Sequence, residues 1–330
     1  MDTSTHIIMG FGLAGLAYID PAVASNPELA QTIMFATILG SNAPDFDYAV
    51  KLVKGNGMYI EHHRGLSHSI PALFIWTAFI SCLCFLFGGG SSFSPIFYWT
   101  FIAVVLHVGF DLLNVYGTQA GRPLTKRWLS LNTLPLFDPI IFVIHLVCFI
   151  LWSFNYPPGT VFTFAYLIIS IYIIIRLIVH YLKRQFILKK ISLLNCTVTL
   201  VPKMNLNSWN VVVESEADYR VGIISGLQVN WLYNYKKQDM KCEFISASRN
   251  DKNVLHFLKN SKHTYAISYP TITGTEVRWI DLRFHTNNHF PYMAIVKFNK
   301  EGKISSSYTG WIHHTRQIES KLSKNQSVYL

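Results

Sequence analysis

Two long stretches of the chain contain no Asp, Glu, Lys or Arg, one from Leu66 to Phe110 and one from Pro139 to Ile175. Each exceeds the roughly 20 apolar residues that a helix needs to cross a bilayer. They predict four membrane helices: Ile70 to Phe87, Ile96 to Val115, Leu134 to Trp152, and Val161 to Leu182. The alternative, a large buried helical core, is disfavoured because uncharged runs this dense are rare in soluble helices. Upstream, His6 to Ile19 and Leu29 to Gly40 are apolar but short, separated by Asp20, Pro21, Pro27 and Glu28. They predict a short N-terminal helical hairpin, either within the membrane or lying on it.

After Ile191 the period changes. Runs such as CTVTLVP, WNVVVES, YRVGIIS, YAISYP, VRWIDLRFHT and YMAIVKF alternate apolar and polar residues, with Gly, Asn or Pro at the joints. Period two with β-branched and aromatic enrichment predicts an antiparallel β domain. The expected fold is therefore a membrane α-helical domain over residues 1–190, followed by a mainly antiparallel β domain over residues 191–330. The last ten residues, KLSKNQSVYL, read as a solvated tail.

Composition supports the membrane half. The chain of 330 residues is 51% hydrophobic and only 14% charged, against about 25% charged for an average soluble protein. Its net charge of +10 nevertheless demands a location. The loops Gly88 to Pro95 and Ser153 to Thr160 are uncharged, whereas the others hold Lys51, Lys54 and Arg64, then Arg122, Lys126 and Arg127, then Lys183, Arg184, Lys189 and Lys190. By the positive-inside rule the basic connections are cytoplasmic, giving a multi-pass protein of the cell membrane with its β domain in the cytosol. The N-terminus lacks the basic start of a cleaved signal. Five cysteines suggest no disulfide framework.

Against this apolar background the ligand-type residues stand out. His107 and Asp111 form HVGFD in the second span, a spacing of four that places both on one helix face where they can share a metal ion. An unpaired acid at that depth costs about 2.5 to 3.5 kcal/mol. Asp45 and Asp47 follow Pro44, so they sit on a turn or first helical turn and can point into a site. HHRGLSHS adds His63 and His68, with His62 as a solvated neighbour and Arg64 suited to gripping a phosphate or orienting a carboxylate. Asp138 opens the third span. All these residues fall on one membrane face, and His6 joins them if the N-terminus starts there. Imidazole and carboxylate are the ligands of zinc and related ions in hydrolytic sites.

The ordered motifs Thr5-His6-Gly10, Pro44 to Asp47, His63 to Ser69, His107 to Thr118 and Asp138-Pro139 resemble the YdjM family of membrane-bound metal-dependent hydrolases, in particular its YfhP-like members. The likeness covers about residues 1 to 180, and the family is grouped with zinc-dependent phospholipase C and P1-type nucleases. The resemblance implies metal binding by His6, Asp45, His63, His68, His107 and Asp111, with Asp47 and Asp138 as further ligands or supporting groups. It implies two or three divalent ions, zinc by preference and manganese as the alternative.

The expected activity is hydrolysis of a phosphoester at the inner leaflet, with Asp45 or Asp47 as base and Arg64 as phosphate contact. Membrane lipid is the expected partner and anionic phospholipid the candidate substrate. No nucleic acid is expected, and the sequence names no protein partner for the β domain. The rival readings are a membrane-anchored scaffold with a structural metal and a small ion or solute transporter. GFGLAG, from Gly10 to Gly15, mimics a dinucleotide fingerprint but lacks the strand and the acid, so tight helix packing explains it better.

Overall fold

The computed structural model describes residues 1–48, 64–88, 92–191, 195–286, 289–314 and 316–323. The chain divides into two compact units, the first reaching to Tyr181 and the second running from Leu182.

The breaks in the N-terminal pattern become helix caps. Helix α1 (Thr3–Leu16) is capped by Asp2, α2 (Pro21–Ala24) by Asp20, and α3 (Pro27–Gly40) by Asn26, which accepts from the Glu28 and Leu29 N–H groups. Pro21 and Pro27 occupy first helical positions, where a missing N–H costs nothing. Helices α1 and α3 pack so closely that a Cβ on Gly10 would lie 2.7 Å from Ile38 Cα. Gly12 faces His145 and Gly15 faces Phe162 in the same way, which accounts for the glycine run by packing.

Among the described residues, three helices are long and apolar enough to cross a membrane: α4 (Ile70–Phe87), α5 (Phe93–Leu113) and α7 (Pro158–Ile191). On α5 the positions Ile96, Thr100, Ala103, His107 and Asp111 are buried at helical spacing. By contrast α4 and α7 expose Phe74, Phe79, Leu86, Phe164, Ile171 and Ile178. Belts of exposed large apolar side chains on helices this long fit lipid as the surrounding medium.

The expected span from Leu134 is shorter in the structure. Helix α6 covers Pro139–Ser153, 15 residues, because Asp138 caps it and Pro139 starts it. The chain before it folds back on α5: the Leu131 N–H donates to the Leu112 carbonyl, and those of Thr133 and Leu134 to Leu113. These residues satisfy carbonyls that the end of α5 leaves open.

The second unit contains two four-stranded antiparallel meanders. The first holds β1 (Thr197–Pro202), β2 (Ser208–Glu214), β3 (Asp218–Ser225) and β4 (Gln228–Lys236) in that order. After α8 (Glu243–Ser248) and α9 (Lys252–Asn260) come β5 (Thr264–Thr271), β6 (Gly274–Asp281), β7 (Tyr292–Asn299) and β8 (Ile304–Trp311). Strand β7 shows why the period is two. Its Met293 and Ile295 join a core with Val212 and Val221 of the first sheet, whereas Tyr292, Ala294 and Val296 pack with Ile245, Val254 and Phe257 of the helices. The expected solvated tail is corrected in part: α10 (Gln317–Ser323) buries Ile318 and Leu322 in the core shared by the sheets.

Candidate metal centre

Four side chains converge where α5 ends and α4 begins. His107 and Asp111 come from the last turns of α5, His68 from the single 3-10 turn Leu66–His68 before α4, and Asp45 from the 3-10 segment Ala43–Tyr48 after α3. One ligand atom from each lies within 4.8 Å of all the others, and the group can hold a metal ion. His68, His107 and Asp111 are fully buried, while the Asp45 side chain keeps 19% exposure.

The distances have a pattern. His68 Nε2 is 3.2 Å from His107 Nε2 and 3.2 Å from Asp111 Oδ2. Asp45 Oδ1 lies 3.5 Å from His68 Nε2 and 3.6 Å from His107 Nε2, and Asp111 Oδ2 is 3.6 Å from His107 Nε2. Two nitrogens bound at about 2.05 Å to one tetrahedral ion are about 3.3 Å apart, so the donor set fits a single divalent cation. The tautomer also fits. His107 Nδ1 donates to the Ser41 carbonyl at 2.7 Å, which leaves the Nε2 lone pair of the neutral ring facing inward. Burial, partly offset by the hydrogen bond to Asp45, pushes His68 down to about 3, so it too is a neutral imidazole with a lone pair to offer.

The other sequence-predicted residues fall into three groups. His6 stacks on the His107 ring with centroids 3.8 Å apart and places Nε2 at 3.4 Å from Asp111 Oδ1, the oxygen opposite the one facing His68. The amine of Met1 also lies against that oxygen. Arg64 is buried and ion-paired through Nε to Asp111 Oδ2 at 3.2 Å, with its other nitrogens donating to Asn114 Oδ1 and the Met1 carbonyl. Its guanidinium thus orients a ligand from a backbone at φ 65°, an uncommon conformation for a residue other than glycine. Asp138 stands apart from the four: one oxygen caps α6 through the Ile140 and Ile141 N–H groups, and the other accepts from Tyr172 Oη at 2.8 Å. His63 lies outside the described residues. Asp47 belongs to the 3-10 segment beside Asp45.

Two supporting residues escaped the sequence reading. Asn114 donates to Asp111 Oδ1 and accepts from Arg64, so it joins the ligand to its ion-pair partner. It stands one turn after Asp111, a spacing that could have revealed it. Ser41 acts through its backbone carbonyl, for which side-chain identity carries no signal.

Residues 1–182 match the family of YdjM inner membrane proteins. The chain belongs to that family. Residues 243–322 match a second family, the YfhP C-terminal alpha/beta plait domain, and cover α8 through most of α10. Along nearly its whole length the chain is similar to the uncharacterized protein YfhP of Bacillus subtilis (strain 168), with 37% identity over 324 residues and 98% of each chain covered. No solved structure matches. Membership of the YdjM family and the apolar helices together make this a membrane protein.

Proposed function

We propose that the chain is a multi-pass, metal-dependent hydrolase that cleaves a phosphoester at the cytoplasmic face of the membrane. The observation that carries this reading is the group Asp45, His68, His107 and Asp111, four oxygen and nitrogen donors at ligand spacing beside the membrane boundary. Zinc is the expected ion and manganese the alternative. Asp111 supports a site of more than one ion, since its two oxygens face two separate imidazole sets, His68 with His107 and His6.

A divalent ion held there supplies a bound water of lowered pKa and neutralises charge on a phosphoryl oxygen. The protein's own groups divide the remaining work. Asp45, the exposed member of the four, takes the proton of the attacking water. Arg64 and Asn114 fix the Asp111 carboxylate, and the Ser41 carbonyl fixes the His107 ring. Next to Asp45 the surface is apolar, with Phe46, Leu66 and Ile70 exposed. That rim favours an amphiphile such as an anionic phospholipid over a freely soluble phosphoester, and Lys126 and Arg127 add positive charge for its head group. Sidedness follows from the basic connections.

The second reading, a membrane-anchored scaffold with a structural ion, draws on one observation: four protein donors around one position close a tetrahedral shell. The two readings separate on purified full-length protein in nanodiscs. Stripped of metal and then titrated with zinc or manganese, it should gain phosphodiesterase activity on phospholipid. Activity that survives both His107→Ala and Asp111→Ala rejects the site, and stoichiometric metal with no activity on any phosphoester supports the scaffold.

A further inference from the structure

The second unit carries a surface that neither the metal site nor the sheet cores explain. Strand β1 ends at Pro202 and β2 starts at Ser208, while β3 ends at Ser225 and β4 starts at Gln228. Ser208 pairs with Ser225, so the loop 203–207 and the tight turn Gly226–Leu227 lie side by side at one end of the first sheet. These two tips present Met204 at 61% and Leu227 at 69% exposure. A sheet end does not need large apolar side chains in water, and two adjacent ones are an unpaired liability.

What covers them is indicated by helix α7. Its uncharged run ends just before Arg176, the helix continues apolar to Leu182, and Lys183 is the next charged residue. Lys183 Nζ donates to the Gly226 carbonyl at 2.6 Å. The β3–β4 tip is therefore fastened to α7 just past the end of its apolar stretch. The β1–β2 loop lies beside that tip through the Ser208–Ser225 pair.

Charge follows the same axis. Lys203 is the only charged residue in the two tip loops, and Arg184 is exposed on α7 beside Lys183. The acids of the first sheet, Glu214, Glu216 and Asp218, gather at its opposite end around the β2–β3 turn, where Arg220, Lys236 and Lys237 balance them. Apolar tips flanked by basic groups, with the acids held away, match an anionic lipid surface.

We infer that Met204 and Leu227 insert into the head-group layer of the membrane that α7 crosses, so that the second unit is docked on anionic lipid at two hairpin tips as well as tethered by a helix. This holds whether or not the metal site is catalytic. The test places p-benzoylphenylalanine at Leu227, at Met204 and, as control, at Glu216 on the far end of the same sheet. Full-length protein is irradiated in nanodiscs of phosphatidylcholine with and without phosphatidylglycerol, and adducts are identified by mass. Lipid adducts at Leu227 and Met204 several-fold above those at Glu216, increasing with phosphatidylglycerol, are expected. Equal lipid yields at all three positions overturn the inference, as does a covalent dimer of the chain as the main product. All three positions are exposed, so the substitutions leave the fold intact.

Discussion

Arg64 Nε and His68 Nε2 approach the same oxygen of Asp111, each at 3.2 Å. A buried guanidinium and a ligand-type imidazole sharing one carboxylate oxygen fix that carboxylate in place, and Asn114 completes the arrangement from the other oxygen. The orientation of Asp111 therefore depends on Arg64. Loss of a group that orients a ligand typically costs 10- to 100-fold in metal affinity. Arg64→Gln should weaken zinc binding by about that factor, as read by competition with a fluorescent chelator. If Arg64 were chiefly a phosphate contact, zinc affinity would stay unchanged and only KM would rise.

A second prediction concerns Gly10. A methyl group there would meet the Ser41 hydroxyl and, at 2.7 Å, Ile38 Cα, and the latter is main chain that cannot rotate away. Gly10→Ala should push α1 from α3 and cost about 1 to 3 kcal/mol, in the range of other overpacking changes. Ser41 lies at the end of α3 and its carbonyl holds His107, so metal affinity should fall together with thermal stability. Gly226→Ala, where a Cβ meets nothing within 4 Å, is the contrasting variant: it pays only for the positive φ and should leave metal binding unchanged.

Acid should loosen the second unit. Thr199 Oγ1 meets His263 Nε2 at 2.7 Å, and His263 Nδ1 meets Glu214 Oε2 at 3.0 Å, so this chain of contacts ties β1 and β2 to the segment entering β5. Burial, with the charge of Arg283 adding to it, holds His263 below its ordinary value. Burial alone would raise Glu214, but the hydrogen bond from Lys237 and the neighbouring His263 bring it below the usual range. For both groups the folded pKa lies below the unfolded one. Their contribution is complete above the unfolded values, about 6.5 for His and about 4.3 for Glu, and is lost as pH falls through the folded values. Amide exchange in β1 and β2 should accelerate as pH drops below about 6.5 after correction for intrinsic rates. His263→Gln should flatten that dependence between neutrality and pH 5, and an unchanged profile in the variant would remove His263 from the account.

Sequence made some of this architecture readable and hid the rest for physical reasons. The span from Ile70 to Phe87 matches α4 residue for residue because Ser69, Pro71 and Gly88 mark its ends chemically. His107 and Asp111 were legible as a pair because a helical repeat places them on one face. Asp138 was not legible in its role, since the hydroxyl that engages it comes from Tyr172, 34 positions away. Strand β4 escaped because it is an edge strand with a largely exposed pattern, and β8 because Ser306, Ser307 and Thr309 are buried there without looking apolar. The small helix α9 had a readable signal in its cap, Asp251, and in Val254, Phe257 and Leu258 at helical spacing, obscured by the β-rich runs around it.

The shortness of α6 bears on topology. At 15 residues it reaches about 22 Å, less than the roughly 30 Å of hydrocarbon. Its two ends are nevertheless placed by α7. Near the start of α6, Tyr172 engages Asp138 and Arg176 donates to the Thr133 carbonyl; at its other end Trp152 packs against Phe162, early in α7. The helices are therefore antiparallel, and α6 runs from the level of the metal site to the opposite end of α7. Its deficit in length is met at the start, where the chain folds back on α5 and buries Thr133, Leu134 and Pro135, a covered setting in which irregular chain is tolerated. The expected outcome is that α6 crosses the membrane despite its length. In cells, Asn155→Cys should react with a membrane-impermeant maleimide added from outside, whereas Lys126→Cys and Lys190→Cys should react only after permeabilisation. Protection of position 155 until permeabilisation would mean that α6 and α7 form a re-entrant pair that does not cross, with the chain after α7 still on the side where α6 begins.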